Sequence, residues 1–205
     1  MKIKTIVVGE LDTNCYLVSD DDGNACVIDP GDEADKIIAE IEKNKLKPAA
    51  IINTHVHPDH IGANIEIKQK YNIPIMVHKD DAHMLTPHFS LISSIAGYKF
   101  DSMEPDRLLN DGDEIKIGSL NLKIVHTPGH SKGGISILVG DAAFTGDTLF
   151  CGDIGRADLY GGDEKALVKA IKEKLLILPD STALYPGHGK SSTIGNEKMY
   201  NIYLK

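Results

Sequence analysis

Apolar positions along the chain fall into short runs, punctuated by glycine, proline and aspartate. Residues 2–8, 14–19 and 24–29 read as strands, broken by Gly9, by the turn Asp20-Asp21-Asp22-Gly23 and by Pro30-Gly31. Asp32 or Glu33 can then cap a helix whose apolar positions, Ile37, Ile38, Ile41 and Leu46, recur at helical spacing until Lys47-Pro48 ends it. A short buried strand at 49–53, a helix over 62–71 and a strand over 73–78 come next. Pro74 marks that last strand for a sheet edge, because proline has no N–H to give to a neighbour. Residues 79–84 read as a turn of helix. From 85 to 106 the pattern is irregular, interrupted by Pro87, Gly97 and Pro105, as in a lid or binding loop.

The second half repeats the plan. Asp111-Gly112-Asp113 opens a hairpin that pairs 114–117 with 120–125 across Gly118-Ser119, and strands at 134–139 and 142–145 meet at Gly140-Asp141. A glycine-rich loop at 151–162 leads into an amphipathic helix from Glu164 to Leu176, with Leu167, Ile171, Leu175 and Leu176 on one face. Pro179 stops it, a strand follows at 182–185, and 196–203 reads as a terminal helix. Strands then a helix, twice over, predict two mixed sheets packed together with helices outside. With 205 residues, no linker and no repeat, the expectation is one domain spanning 1–205.

Composition narrows the function classes. A net charge of -8 without any basic run argues against nucleic acid as a partner. No apolar run approaches the ~18 residues of a membrane span, and the start lacks the longer apolar segment of a signal peptide. Cys15, Cys26 and Cys151 are odd in number and form no CxxC pair, which fits a reducing compartment. A cytoplasmic location is expected.

The chemistry sits in the histidines. Thr54-His55-Val56-His57-Pro58-Asp59-His60 follows the strand at 49–53, and side chains two apart on a strand face the same way, so His55 and His57 can grip one ion. Pro58 breaks the strand and swings Asp59 and His60 toward a neighbouring point. Four imidazoles and carboxylates side by side would repel or desolvate one another without a cation. Three later places share one local form, a strand followed by a glycine-containing turn carrying a donor. They offer His126 and His130, Asp147, and His188. Donors at strand ends of a packed scaffold converge on one edge.

Taken together, His55-x-His57-x-Asp59-His60, His130 in Thr-Pro-Gly-His, Asp147 in Phe-Thr-Gly-Asp-Thr and His188 in Pro-Gly-His-Gly resemble the metallo-β-lactamase fold hydrolases. The resemblance implies an α+β, four-layer αββα sandwich with two metals at one edge of the paired sheets. His55, His57 and His130 would hold the first metal and Asp59, His60 and His188 the second, with Asp147 bridging. Leu11-Asp12-Thr13-Asn14-Cys15-Tyr16, Phe144–Phe150 and Gly155-Arg156-Ala157-Asp158 are more closely similar to the short single-domain members of the glyoxalase II (hydroxyacylglutathione hydrolase) branch. That branch implies hydrolysis of a small-molecule thioester of the S-2-hydroxyacyl type. Full-length glyoxalase II enzymes carry a helical C-terminal domain that contributes to glutathione binding; this sequence ends soon after His188, so another thiol carrier is open.

Two divalent cations can share a hydroxide that attacks the thioester carbonyl, with Asp59 orienting it or taking its proton. His/Asp ligation suits zinc and also admits iron or manganese. Arg156 is a candidate for a substrate carboxylate, against an ion pair with Asp158 or Asp153. Cys151 reads as an inert loop thiol, and His78, His83, His88 and His126 as structural or surface residues, with His126 a candidate for orienting a ligand. Persulfide dioxygenases resemble the same branch and use one iron, held by the equivalents of His55, His130 and Asp147. A lactonase or β-lactam hydrolase on the same metals is the other alternative.

Overall fold

The first three strands, β1 (Lys2–Val8), β2 (Thr13–Ser19) and β3 (Asn24–Ile28), pair antiparallel in the computed structural model, which describes every residue except Ala96, Tyr98 and Lys99. Helix α1 (Ala34–Lys43) then crosses over, and β4 (Lys47–Ile52) lies parallel to β3. Two short helices, α2 (Pro58–Ile61) and α3 (Asn64–Tyr71), carry the chain to β5 (Ile75–His78), which runs parallel to β4. After α4 (Pro87–Ile95), β6 (Arg107–Leu109) completes a six-stranded mixed sheet ordered β1-β2-β3-β4-β5-β6.

β7 (Glu114–Ile117), β8 (Leu120–His126), β9 (Ile135–Val139) and β10 (Ala142–Gly146) form an antiparallel meander in the second sheet. A small hairpin, β11 (Leu149–Phe150) with β12 (Asp153–Ile154), precedes α5 (Glu164–Ala170). β13 (Ala183–Pro186) then lies parallel to β10, and β14 (Ser192–Thr193) leads into α6 (Ile194–Tyr200). The sheet order is β14-β13-β10-β9-β8-β7, again mixed.

Strand alternation sorts the side chains into layers. Tyr16, Val18, Cys26, Ile28, Ile52 and Met76 point to the space between the sheets, where Leu122, Ile124, Ile137 and Phe144 meet them. Their neighbours Cys15, Leu17, Val27, Ile51, Ile75 and Val77 point the other way, against Ile37 and Ile41 of α1 and Ile67 of α3. Leu184 of β13 packs on Leu167, Ile171 and Ile194 outside the second sheet. The result is an αββα sandwich. The inner strands β2, β3 and β5 of the first sheet are buried along nearly their whole length because both faces are covered.

Several expectations need correction. β5 is interior, flanked by β4 and β6. Pro74 stands just before it and contributes its carbonyl, which accepts from Ile51 N at 2.9 Å, so its missing N–H leaves no gap in the ladder. The segment 85–106 holds helix α4, with Pro87 as its first residue, where a missing N–H costs nothing. Positions 96, 98 and 99 of that segment lie outside the described residues. Helix α1 ends at Lys43, and Lys47-Pro48 already belong to β4. Glu33 is its N-cap residue at φ 50 without a side-chain cap; its carboxylate accepts from Gly9 N instead. The helix expected over 164–176 is α-helical to Ala170 and then makes one π-helical turn, Ile171–Leu175. Among the described residues, no helix is long and apolar enough to cross a membrane.

Candidate metal centre

His55 and His57 lie in the connection after β4 rather than on the strand itself. His57 is the N-cap residue of α2 and Pro58 its first residue. His60 N bonds back to His57 O at 2.9 Å, folding the stretch so that Asp59 and His60 turn toward the second sheet. His130 arrives on the loop after β8, Asp147 directly after β10, and His188 after β13. Gly31 and Gly187 allow the close approach: a Cβ on Gly31 would strike Asp59 O, and one on Gly187 would strike Asp147 Oδ1 and His60 Cε1.

All seven sequence-predicted donors meet. His57 Nδ1 is 2.9 Å from His130 Nε2, and the His55 ring centroid is 4.7 Å from each of those two rings. In a second group, His60 Nε2 is 3.3 Å from His188 Nε2 and 3.4 Å from Asp59 Oδ2, which is itself 3.3 Å from His188 Nε2. Asp147 stands between them, with Oδ2 3.5 Å from His130 Nε2 and 3.6 Å from His188 Nε2, and Oδ1 3.5 Å from His60 Nε2. Ligands about 2.1 Å from one tetrahedral cation lie roughly 3.4 Å apart. His55 Nε2 and Asp147 Oδ1 are buried without a hydrogen-bond partner among the described residues. Orphaned acceptors in such a cluster are what cations would satisfy, so the residues present fit two metal ions.

Rings of the centre are held from behind, as metal-binding imidazoles require, with His55 Nδ1 3.1 Å from Thr54 Oγ1. His60 Nδ1 lies 3.0 Å from Asp29 Oδ2, while His130 Nδ1 donates to Arg156 O and His188 Nδ1 to Leu11 O, at 2.8 and 2.9 Å. Asp29 was not among the predicted site residues. It is buried, at φ 49, and also accepts from Thr54 N and Thr54 Oγ1 at 2.7 and 2.6 Å. Its signal was the shared local form: Val27-Ile28-Asp29-Pro30-Gly31 is another strand leaving its sheet at an aspartate. The stretch Leu11–Tyr16 fixes the His188 loop. Asn14 Nδ2 donates to Pro186 O and Gly189 O at 3.0 and 2.9 Å, and the Tyr16 hydroxyl donates to Pro186 O.

Electrostatics divide the donors: burial alone would lower His60 and His188, but Asp147 and Asp29 outweigh it at His60, and Asp59 and Asp147 at His188, so both are raised. Burial, then the neighbouring imidazoles, pushes His55 well down and His57 to about 3, so both are neutral. Burial alone would raise Asp59, but hydrogen bonds from His188 and His60 outweigh it and hold its carboxyl far below the usual range. Arg156 faces Asp158, with Nε and Nη2 each donating to its carboxylate at 2.7 Å, and its backbone carbonyl accepts from His130 Nδ1. Cys151 is half-buried in the turn between β11 and β12. His126 stacks on His78, centroids 4.1 Å apart and planes 13° from parallel, and its Nε2 donates to Lys132 O. His78, Asp80 and His126 also bring donors within 4.8 Å. Near-parallel rings, however, aim their in-plane lone pairs along separate planes, which suits stacking better than a shared ion.

A family model for the metallo-beta-lactamase superfamily matches residues 8–188. Hydroxyacylglutathione hydrolase GloC of Haemophilus influenzae is 38% identical over 208 residues, covering 100% of this chain and 98% of that protein. Two solved structures are each 36% identical: BLEG-1 B3 metallo-beta-lactamase, with a TM-score of 0.94 and complete coverage of both chains, and TTHA1623 in a di-iron-bound form, with a TM-score of 0.89 over 98% of this chain and 100% of that one. Matched along most of its length and across every loop that brings a donor, the chain belongs to the metallo-beta-lactamase superfamily.

Proposed function

We propose that the chain is a metal-dependent hydrolase that cleaves a thioester with water to a carboxylic acid and a thiol. The observation that carries the reading is the convergence of seven donors around two orphaned buried acceptors, His55 Nε2 and Asp147 Oδ1. His55, His57 and His130 would hold one divalent cation, Asp59, His60 and His188 the other, and Asp147 would serve both. Bound there, the cations would supply a water acidified to a pKa of about 7 and positive charge for the carbonyl oxygen. The mixed His/Asp donors admit zinc, iron or manganese.

The chain's own groups have separable tasks. Asp29 holds the proton on His60 Nδ1, leaving Nε2 free as a donor. Thr13 Oγ1 donates to Asp59 Oδ2 at 3.3 Å. That bond fixes the carboxylate in place, which supports an orienting role for Asp59. Neither ionised Asp59 nor neutral His55 and His57 can protonate a leaving group, and a thiolate needs no proton, its parent thiol having a pKa of about 8.5. The full-length similarity to a protein named hydroxyacylglutathione hydrolase supports the thioester class.

A second reading, β-lactam hydrolysis, is favoured by the 36% identity to the BLEG-1 B3 metallo-beta-lactamase. The test is hydrolysis by metal-loaded protein of an S-2-hydroxyacyl thioester and a chromogenic cephalosporin, with oxygen uptake followed on a persulfide. Oxygen-independent thiol release at the highest kcat/KM is expected. Preferential cephalosporin opening would support the second reading, and persulfide-dependent oxygen uptake would replace both with a one-iron oxygenase.

A further inference from the structure

Three loops enclose a cleft of about 730 Å³ on the flank of the centre: the turn after β5, the loop after β8, and the end of the glycine-rich segment before α5. Lys79, His83 and Lys132 are exposed along it. Neither lysine makes an ion pair among the described residues, in a chain whose net charge is -8. The acidic groups in the same walls are turned to other work. Asp163 caps α5, its Oδ1 accepting from Ala166 N at 3.0 Å, and Asp80 Oδ2 lies 3.7 Å from His78 Nδ1. Gly161, at φ 83, leaves room for the Lys132 stem, whose Cγ would lie 3.3 Å from any Cβ there. The Lys132 ammonium stands 6.0 Å from the centroid of the Tyr160 ring. Lys79 and Lys132 make no ion pair with the Asp80 and Asp163 that share the lining, so each ammonium can turn to an anionic group entering the cleft.

The cleft and the donor cluster share a wall. Gly129 lines the cleft, and the next residue, His130, reaches 2.9 Å from His57. Successive Cα atoms are about 3.8 Å apart, so the cleft wall and the donor cluster meet at the 129–130 peptide. We propose that this cleft receives the anionic end of the substrate's thiol carrier, with Lys79 and Lys132 as counter-charges, an assignment that rests on the thioester reading above. The recognised chemistry is a carboxylate or phosphate remote from the sulfur. Peptide thiols bear the first and nucleotide thiols the second.

The test compares kcat/KM for one acyl group on three carriers: glutathione, coenzyme A and the uncharged N-acetylcysteamine. Parent protein is set against Lys79→Gln, Lys132→Gln and the double variant; both positions are exposed, so the fold tolerates them. The selectivity for a charged over the uncharged carrier should fall about tenfold per lysine, through KM, and should also fall as salt is raised. Loss against glutathione alone identifies carboxylates as the ligand, and loss against coenzyme A alone identifies phosphates. Selectivity that stays within twofold of the parent in the double variant overturns the cleft assignment while leaving the thioester reading intact. A parent that hydrolyses none of the three esters overturns both.

Discussion

Replacing Asp29 by alanine tests whether the carboxylate behind the centre organises it. Asp29 is buried and accepts three hydrogen bonds, from Thr54 N, Thr54 Oγ1 and His60 Nδ1. In the alanine variant the Thr54 hydroxyl still accepts from His55 Nδ1, 3.1 Å away, but Thr54 N–H and His60 Nδ1–H are left buried and unpaired. Each unpaired donor costs about 1–3 kcal/mol. Alanine at a φ of 49 adds strain on the order of 1 kcal/mol, since aspartate tolerates the left-handed region better. The expected loss is about 4 kcal/mol, a large share of the roughly 5–15 kcal/mol of a typical domain. Asp29→Asn keeps an acceptor and the backbone preference, and should lose about half as much. Urea unfolding of metal-free protein reads the effect without any contribution from bound ions. Affinity for the second metal, by chelator competition, should drop roughly 10–100-fold. An alanine variant within 1 kcal/mol of the parent at ordinary metal affinity would refute the reasoning.

Other predictions follow from the same geometry. Gly187→Ala drives a methyl group into Asp147 Oδ1 and His60 Cε1, so it should lose bound metal while keeping its circular dichroism spectrum; full metal content would contradict the packing. Asp81, fully buried, accepts from Ser131 Oγ at 2.7 Å and Gly133 N at 2.6 Å and so pins the His130 loop across the sheets. Asp81→Ala should weaken metal binding in calorimetric titration far more than Asp81→Asn, and equal losses would count against a positioning role. Burial, with His126 beside it, pushes His78 down to about 4, so the folded chain holds it neutral while the unfolded chain protonates near the ordinary imidazole value of 6.5. Its contribution is complete above that value and is lost as pH falls toward 4. His78→Gln should flatten this part of the curve of urea midpoint against pH, and identical slopes would speak against it.

Much of the sandwich was legible because burial imposes its period on the sequence. Ile51 and Ile52 face opposite layers and are both fully buried, so β4 could be read from its apolar run. Helix α4 was illegible for the converse reason. None of its residues is buried, and Leu91, Ile92 and Ile95 are exposed, so packing writes no pattern there. β6 has only three residues, two of them exposed, and it is this strand that turns β5 from an edge into an interior strand. The donors were legible as clusters and repeated turns. Their supports were not: Leu11 O and Arg156 O serve through the backbone, which leaves no mark on residue type. Arg156 was read for its side chain, as a substrate contact or an ion pair with Asp158 or Asp153, and the pair with Asp158 is present.

The most direct measurement is the metal count. Protein purified, stripped with chelator, reloaded and dialysed would be assayed by elemental analysis beside Asp147→Ala and His57→Ala, with melting temperature recorded. The account predicts two divalent ions per chain in the parent, stabilisation of about 2.7 kcal/mol at a hundredfold excess of metal over Kd, and loss of loading in both variants. One ion per chain, with His60 and His188 replaceable without effect on it, would contradict the two-metal centre.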